Sequence, residues 1–127
     1  MSIQLNHTIV YAVDRNAAAA FVAEILGLSA PKLFGPFLAL ELSNGVTLDF
    51  YANGRDVIPQ HYAFLVSEGE FDEILARIRR LRLPYWADPF HRQLNEHNTA
   101  DGGRGLYFED ISGHNLEIIT RPYGSGS

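Results

Sequence analysis

The stretch PQHYAFLVSEGEFDEI, residues 59–74, decides the fold because LNHTIVYAVDRNAAAAF, residues 5–21, has the same design. Each sets a lone histidine near the head of an apolar run, then an acidic residue, then a segment with helical spacing. A shift of 54 positions lays NHTIVYAVD (6–14) on QHYAFLVSE (60–68) and brings His7 onto His61. A shift of 68 lays FLALELSNGVTLDFY (37–51) on GLYFEDISGHNLEII (105–119). Gly45 then meets Gly113, Leu48 meets Leu116 and Asp49 meets Glu117. Two matches in the same order mark an internal repeat. Their offsets differ by 14, which puts an insertion in the second copy between about 82 and 104, read as a long loop or irregular strand.

Within each copy the pattern is strand, helix, then further strands. HTIVYAV alternates its side chains and is rich in β-branched and aromatic residues. The following helix, about 14–27, carries Phe21, Ile25 and Leu28 at helical spacing and stops at Gly27. In the second copy Ser67 and Glu70 form an S-x-x-E capping box, and Phe71, Ile74, Leu75, Ile78 and Leu81 line one helix face. SNG and ISGH are turn signals, each between two short strands. The expected fold is α+β: two βαβββ modules forming a curved mixed-sheet cup with helices outside. Module 1 spans about 3–52 and module 2 about 58–121 of a single domain, 1–121, with 122–127 as a flexible tail.

Composition removes several function classes. The chain has 127 residues and a formal charge of −5, and its one basic cluster, RIRRLR at 77–82, continues a helical pattern as a solvated face. Nucleic acid is therefore not an expected partner. With no cysteine there is neither a disulfide nor a thiolate metal site, which suits a reducing compartment. No apolar run is long enough to span a membrane and no signal segment precedes the first strand, so the expected location is cytoplasmic.

Strand alternation gathers the chemistry. His7 shares a face with Ile9 and Tyr11, His61 with Ala63 and Leu65, and Glu117 with Asn115 and Ile119. A carboxylate in the middle of an apolar strand is costly to bury unless it is paired, hydrogen-bonded or bound to a cation. Two neutral imidazoles and one carboxylate on three strands of one curved sheet would make a three-ligand metal site with open positions. That set suits Fe(II), Mn, Co, Ni or Zn.

These features resemble the vicinal oxygen chelate superfamily, which includes glyoxalase I, extradiol dioxygenases, fosfomycin-resistance transferases and bleomycin-resistance proteins. The resemblance covers about residues 3–121. It is most specific in the order His–His–Glu and in F-x-D-x-x-G-H-x-L-E at 108–117, with DISGH where the family commonly has DPDGH. It implies metal ligands at His7, His61 and Glu117, and a divalent ion that binds a small-molecule substrate through two neighbouring oxygens. The reaction implied is that of a glyoxalase-like lyase or isomerase or an extradiol-type dioxygenase. The alternatives are a metal-free antibiotic-sequestering protein and a fosfomycin-type transferase. Ile9 and His97 stand where transferases hold a phosphonate with Thr and Lys, which ranks that alternative lower.

The repeat sets Asp49 where glyoxalase I has a fourth ligand, a glutamate. Aspartate is one methylene shorter and is expected to support the ligands or lie on the strand surface rather than ligate directly. By the same resemblance Tyr107 stands where fosfomycin transferases place an active-site tyrosine, to orient substrate or donate a proton, or is an ordinary sheet aromatic. The resemblance also implies a homodimer in which His7 of one subunit joins His61 and Glu117 of the other. Around this set, His114 is expected to be exposed or to support the ligands, and His91 to be solvated. His97 is expected to be a substrate contact or solvated. Arg104 is a candidate for an anionic substrate, and the glycines of DGGRG for close backbone approach to a ligand. PYW (84–86) with Phe90 would form an aromatic wall for the ligand or pack beneath the long loop.

Overall fold

The computed structural model describes residues 2–126. Met1, the first residue of the expected domain, and Ser127, the last of the expected tail, lie outside them. The chain divides at residues 58 and 59 into two compact units, the two modules, and each carries a four-stranded mixed sheet and one helix. The expected α+β architecture of paired βαβββ modules is what forms.

Module 1 runs β1 (His7–Tyr11), α1 (Arg15–Leu26), β2 (Lys32–Phe34), β3 (Phe37–Glu41) and β4 (Thr47–Tyr51), in the sheet order β1-β4-β3-β2. The β1–β4 pair is parallel, with His7 opposite Thr47 and Ile9 opposite Asp49. The other two pairs are antiparallel. A parallel pair needs a crossover rather than a hairpin, and α1 with the β2–β3 hairpin supplies it. Asp14 caps α1, accepting from Ala17 N at 3.0 Å. Gly27 ends the helix in the left-handed region at φ 71°, and the Leu28 N–H returns to the Ala23 carbonyl at 2.8 Å.

The buried face of α1 is made by Ala18, Ala19, Val22, Ala23 and Ile25, against Val10, Leu40, Leu48 and Phe50. This corrects the expected Phe21–Ile25–Leu28 stripe, because Phe21 and Leu28 are only half-buried. Of the expected stripe Ile25 is kept, and three alanines with Val22 fill the rest of the seam, where small side chains suit a close approach to the sheet.

Module 2 repeats the plan with β5 (His61–Leu65), α2 (Glu68–Arg80), β6 (Tyr85–Trp86), β7 (Gly105–Glu109) and β8 (Asn115–Ile119), in the order β5-β8-β7-β6. The expected capping box forms in both directions, Glu70 N to Ser67 Oγ at 3.1 Å and Ser67 N to Glu70 Oε1 at 2.8 Å. Phe71, Ile74, Leu75 and Ile78 are buried with Leu106, Phe108, Leu116 and Ile118. Each such side chain contributes about 1.5–3 kcal/mol by leaving water. Leu81 is exposed, since it caps the helix where the chain turns away.

The insertion is a short β6 followed by a loop held largely by its own polar groups. Asn98 exchanges both backbone hydrogen bonds with Gly105, and its amide donates to the Ala87 carbonyl at 2.8 Å. A Cβ at Gly103 would run into the side chains of Thr120 and Arg121. At Gly103 the close approach that DGGRG permits is to this chain's own β8 exit. Among the described residues no helix is long and apolar enough to cross a membrane.

Candidate functional site

In each sheet one face packs against the module's helix, and side chains of the other face remain for chemistry. In module 2 that face carries His61 and Ala63 on β5, Asn115 and Glu117 on β8, Tyr107 and Glu109 on β7, and Trp86 on β6. Glu117 is opposite both Ala63 and Tyr107, so it lies diagonally from His61 on the neighbouring strand.

The diagonal closes. His61 Nε2 lies 3.1 Å from Glu117 Oε1, with the imidazole half exposed and the carboxylate side chain 14% exposed. His61 Nδ1 lies 2.9 Å from the carbonyl of Asn115. A carbonyl only accepts, so this bond assigns the proton to Nδ1 and leaves a lone pair on Nε2 facing the carboxylate. Two acceptors at that distance repel unless a cation lies between or beside them. A protonated imidazole meets the demand, and so does a metal ion. A histidine whose second nitrogen is tied to a backbone carbonyl is the usual supporting arrangement for a metal ligand. By donor chemistry and geometry the pair therefore fits a divalent cation.

Tyr107 completes the group. Its ring stacks on His61 with centroids 5.8 Å apart, and its hydroxyl hydrogen-bonds to Glu117. Burial, this hydrogen bond and the nearby charges of Glu117 and Asp88 push the phenol well above its ordinary value. Tyr107 is therefore a proton holder and donor rather than a base.

Module 1 presents His7 on the corresponding face, with Nδ1 2.7 Å from the Asn6 side-chain oxygen. Asp49 is buried diagonally from it, at 7% exposure. Among the described residues no hydrogen bond or ion pair meets the Asp49 carboxylate. A hollow of about 340 Å³ opens there, lined by Asn6, His7, Phe34, Ala39, Glu41, Thr47 and Asp49. Among the described residues no three His, Asp or Glu side chains come together as a metal-holding group. Module 2 thus unites His61, Glu117 and Tyr107, and module 1 presents His7.

Several expectations fail at the neighbouring residues. His114 is fully buried, edge-on to Tyr62, and its Nδ1 accepts from Gln60 N at 2.9 Å. It locks the turn before β8 together with Asp110, which accepts from His114 N at 2.8 Å and whose carboxyl is pushed up by burial. Arg104 is not available for a substrate. Its guanidinium pairs with Glu68 at 2.8 Å and Asp72 at 2.9 Å and lies 4.3 Å from the Phe71 ring centre, on the helix side of the sheet. His97, by contrast, is exposed, as one of its two expected readings has it, with its ring edge-on to Phe71 on that same side.

His91, expected in solvent, is stacked on Trp86 and bonded to Asn115. It is the residue on the open face that sequence reasoning missed. No periodicity marks an isolated histidine in an irregular loop, and its partner lies 24 positions away.

Compared with models of known protein families, the chain matches none. Among solved structures it is 59% identical to oxidase ChaP-H1, over 97% of this chain and 99% of that one, with a TM-score of 0.95. Oxidase ChaP-H2 is also 59% identical, with full coverage of both chains and a TM-score of 0.96. A lactoylglutathione lyase from Agrobacterium tumefaciens shares the fold at 22% identity, over 98% of each chain, with a TM-score of 0.71. The chain belongs to the vicinal oxygen chelate superfamily. A curated relative within this superfamily, the glutathione transferase FosA of Serratia marcescens, is 26% identical over 120 residues, 90% of this chain and 78% of its own. The lyase, at its 22% identity, shows the shared fold alone.

Proposed function

We propose that this protein is a metal-dependent oxidative enzyme that binds a small molecule through two neighbouring oxygens. The observation that carries the reading is the His61–Glu117 pair, two acceptors 3.1 Å apart that call for a cation. The oxidative branch, rather than the lyase branch, is favoured by the oxidase names of relatives 59% identical to the chain. The ion would be Fe, Mn, Ni, Co or Zn, held by His61 and Glu117 with His7 as the third ligand. When bound, it supplies Lewis acidity and a template for the two substrate oxygens.

This chain's own residues do the rest. The Asn115 carbonyl fixes the His61 ring so that Nε2 points at the site. Tyr107 orients the Glu117 carboxylate by donating its one hydroxyl proton to it, and the same oxygen keeps a lone pair that can accept from a substrate hydroxyl. In this reading His7 joins from the other subunit of a homodimer. A cysteine-free chain of this kind suits the cytoplasm.

Metal analysis of protein purified without chelator tests the reading. One ion per site is expected, and His61→Ala should lose it. Mixing His7→Ala with Glu117→Ala chains should then restore one intact site in the heterodimer. An ion-free wild type would favour a sequestering protein instead, and a confirmed heterodimer that binds no ion would sink the shared site.

A further inference from the structure

Two arginines of the RIRRLR cluster, Arg79 and Arg82, border a cavity of about 530 Å³ at the end of α2. Its other walls are Leu83, Pro84 and Tyr85, where the chain enters β6, and Leu94 and Asn95 of the insertion loop. That volume is in the range of small-molecule sites. Neighbouring residues of a strand point to opposite faces, so Trp86 looks to the open face and Tyr85 to the helix side. There Tyr85 is 5% exposed and pairs across the strands with the buried Phe108. The cavity therefore shares no residue with the His61–Glu117 group.

Its polar lining has a surplus of donors. The Arg79 guanidinium turns Nε and Nη2 to the Tyr85 hydroxyl oxygen, at 3.3 and 3.1 Å. That oxygen accepts from both, so its own proton is left to donate, and among the described residues nothing accepts it. A polar group on so buried a side chain ordinarily has its hydrogen bonds satisfied. The second terminal nitrogen of Arg79, the Arg82 guanidinium and the Asn95 side-chain amide likewise meet no acceptor among the described residues. Arg77 and Arg104 of the same module have carboxylate partners, Glu73 for the one and Glu68 with Asp72 for the other. Arg79 and Arg82 have none among the described residues.

Arg82 reaches the cavity at a backbone cost. The Leu83 N–H returns to the Ile78 carbonyl and the Arg82 N–H to the Arg79 carbonyl, both at 3.0 Å. This is the helix ending that favours glycine at position 82, yet an arginine sits there at φ +55°. On the opposite wall Asn95 is at φ +59°, and its N–H donates to the Tyr85 carbonyl at 2.7 Å. That bond ties the loop side of the cavity to the strand that carries the phenol.

We propose that this cavity is a second ligand site, which takes a small amphipathic carboxylate. The carboxylate would meet Arg79, Arg82, the Tyr85 hydroxyl and the Asn95 amide, while its aliphatic body lies on Leu83, Pro84 and Leu94. A carboxylate brings acceptors only, and its two oxygens match the fork of a guanidinium. An inorganic anion would leave the apolar wall unused, and a neutral alcohol would leave two positive charges unanswered. The site does not depend on the proposed function, and its test needs no metal.

The probe is hexanoate, titrated into isotopically labelled wild-type protein at constant ionic strength, with hexan-1-ol and sulfate as controls. Amide signals of Arg82, Leu83, Tyr85, Leu94 and Asn95 should move together and saturate, with a dissociation constant of about 1–10 mM for so small a ligand. Hexan-1-ol and sulfate should each bind at least about tenfold more weakly. Arg82→Gln should weaken hexanoate by about three- to tenfold, and Tyr85→Phe, which keeps the ring and removes the unanswered proton, by about two- to threefold. Arg82 is exposed, so Arg82→Gln carries the test should Tyr85→Phe fail to fold, as circular dichroism would show. Sulfate binding as tightly as hexanoate would mean an adventitious ion only and would overturn the proposal. So would equal binding of hexan-1-ol, an unchanged affinity in Arg82→Gln, or shifts confined to His61, Tyr107 and Glu117.

Discussion

The two modules share a backbone and differ in what they hang on it. In module 1 one row across the sheet reads Lys32, Ala39, Asp49, Ile9. In module 2 the same row reads Trp86, Tyr107, Glu117, Ala63. A histidine heads the first strand of each, diagonal to the carboxylate. Yet His61 meets Glu117 at 3.1 Å, while His7 turns to Asn6 and, among the described residues, Asp49 has no hydrogen-bond or ion-pair partner. Glutamate has one methylene more than aspartate. Where Tyr107 fills the space beside Glu117, Ala39 leaves the hollow beside Asp49. The lesson is that a repeat preserves register and lets a few side chains assign different work to equivalent positions.

The largest effect should come from reversing that difference. Glu117→Asp withdraws the carboxylate from His61 and should lower metal affinity about a hundredfold or more, beyond the usual 10–100-fold for merely supporting residues. Asp49→Asn should change it far less. Calorimetric titration of both variants with one divalent ion checks this. Equal losses in the two would mean that Asp49 is itself a ligand and that the modules are less different than their geometry shows.

A smaller effect separates two glycines. Gly103 in module 2 has Thr120 and Arg121 where a Cβ would be, whereas Gly45 in module 1 has open space and a φ of +86°. Gly103→Ala should cost about 1–3 kcal/mol through overpacking. Gly45→Ala should cost about 1 kcal/mol through backbone strain alone. Urea midpoints measure both, and a Gly103→Ala protein as stable as wild type would show that the β8 exit yields.

Legibility in the sequence follows the range of the interaction. The repeat, the strand alternation, the Ser67–Glu70 box and the Gly27 stop are local signals, and all appear in the structure. His61 and Glu117 were readable as partners because the repeat fixed their register. The Arg104 clasp on Glu68 and Asp72, the buried His114 and the docked His91 were not readable. Each depends on a partner 24 to 54 positions away that no periodicity announces. The alanines of the α1 seam were missed for another reason, although Ile25 was read correctly: large apolar residues look like core, whereas a close helix–sheet approach also selects small ones.

The smallest expected effect tests the Tyr107 side of the comparison, since Ala39 gives module 1 nothing that titrates there. Burial, the hydrogen bond to Glu117 and the surrounding negative charge raise the Tyr107 phenol above its unfolded value of about 10. A group raised on folding adds stability that is complete below the unfolded value and is lost as pH rises through the folded one. Wild-type stability should therefore fall above about pH 10, by less than the ~1.4 kcal/mol per pH unit that one fully buried group allows, because the ring is only half-buried. In Tyr107→Phe that part of the alkaline fall should vanish. The variant should be less stable than wild type at pH 8, where the Glu117 hydrogen bond is missing, and should lose less between pH 8 and 11. Parallel alkaline slopes for the two proteins would show that Tyr107 ionises as freely in the fold as out of it, and would remove it as the proton donor beside Glu117.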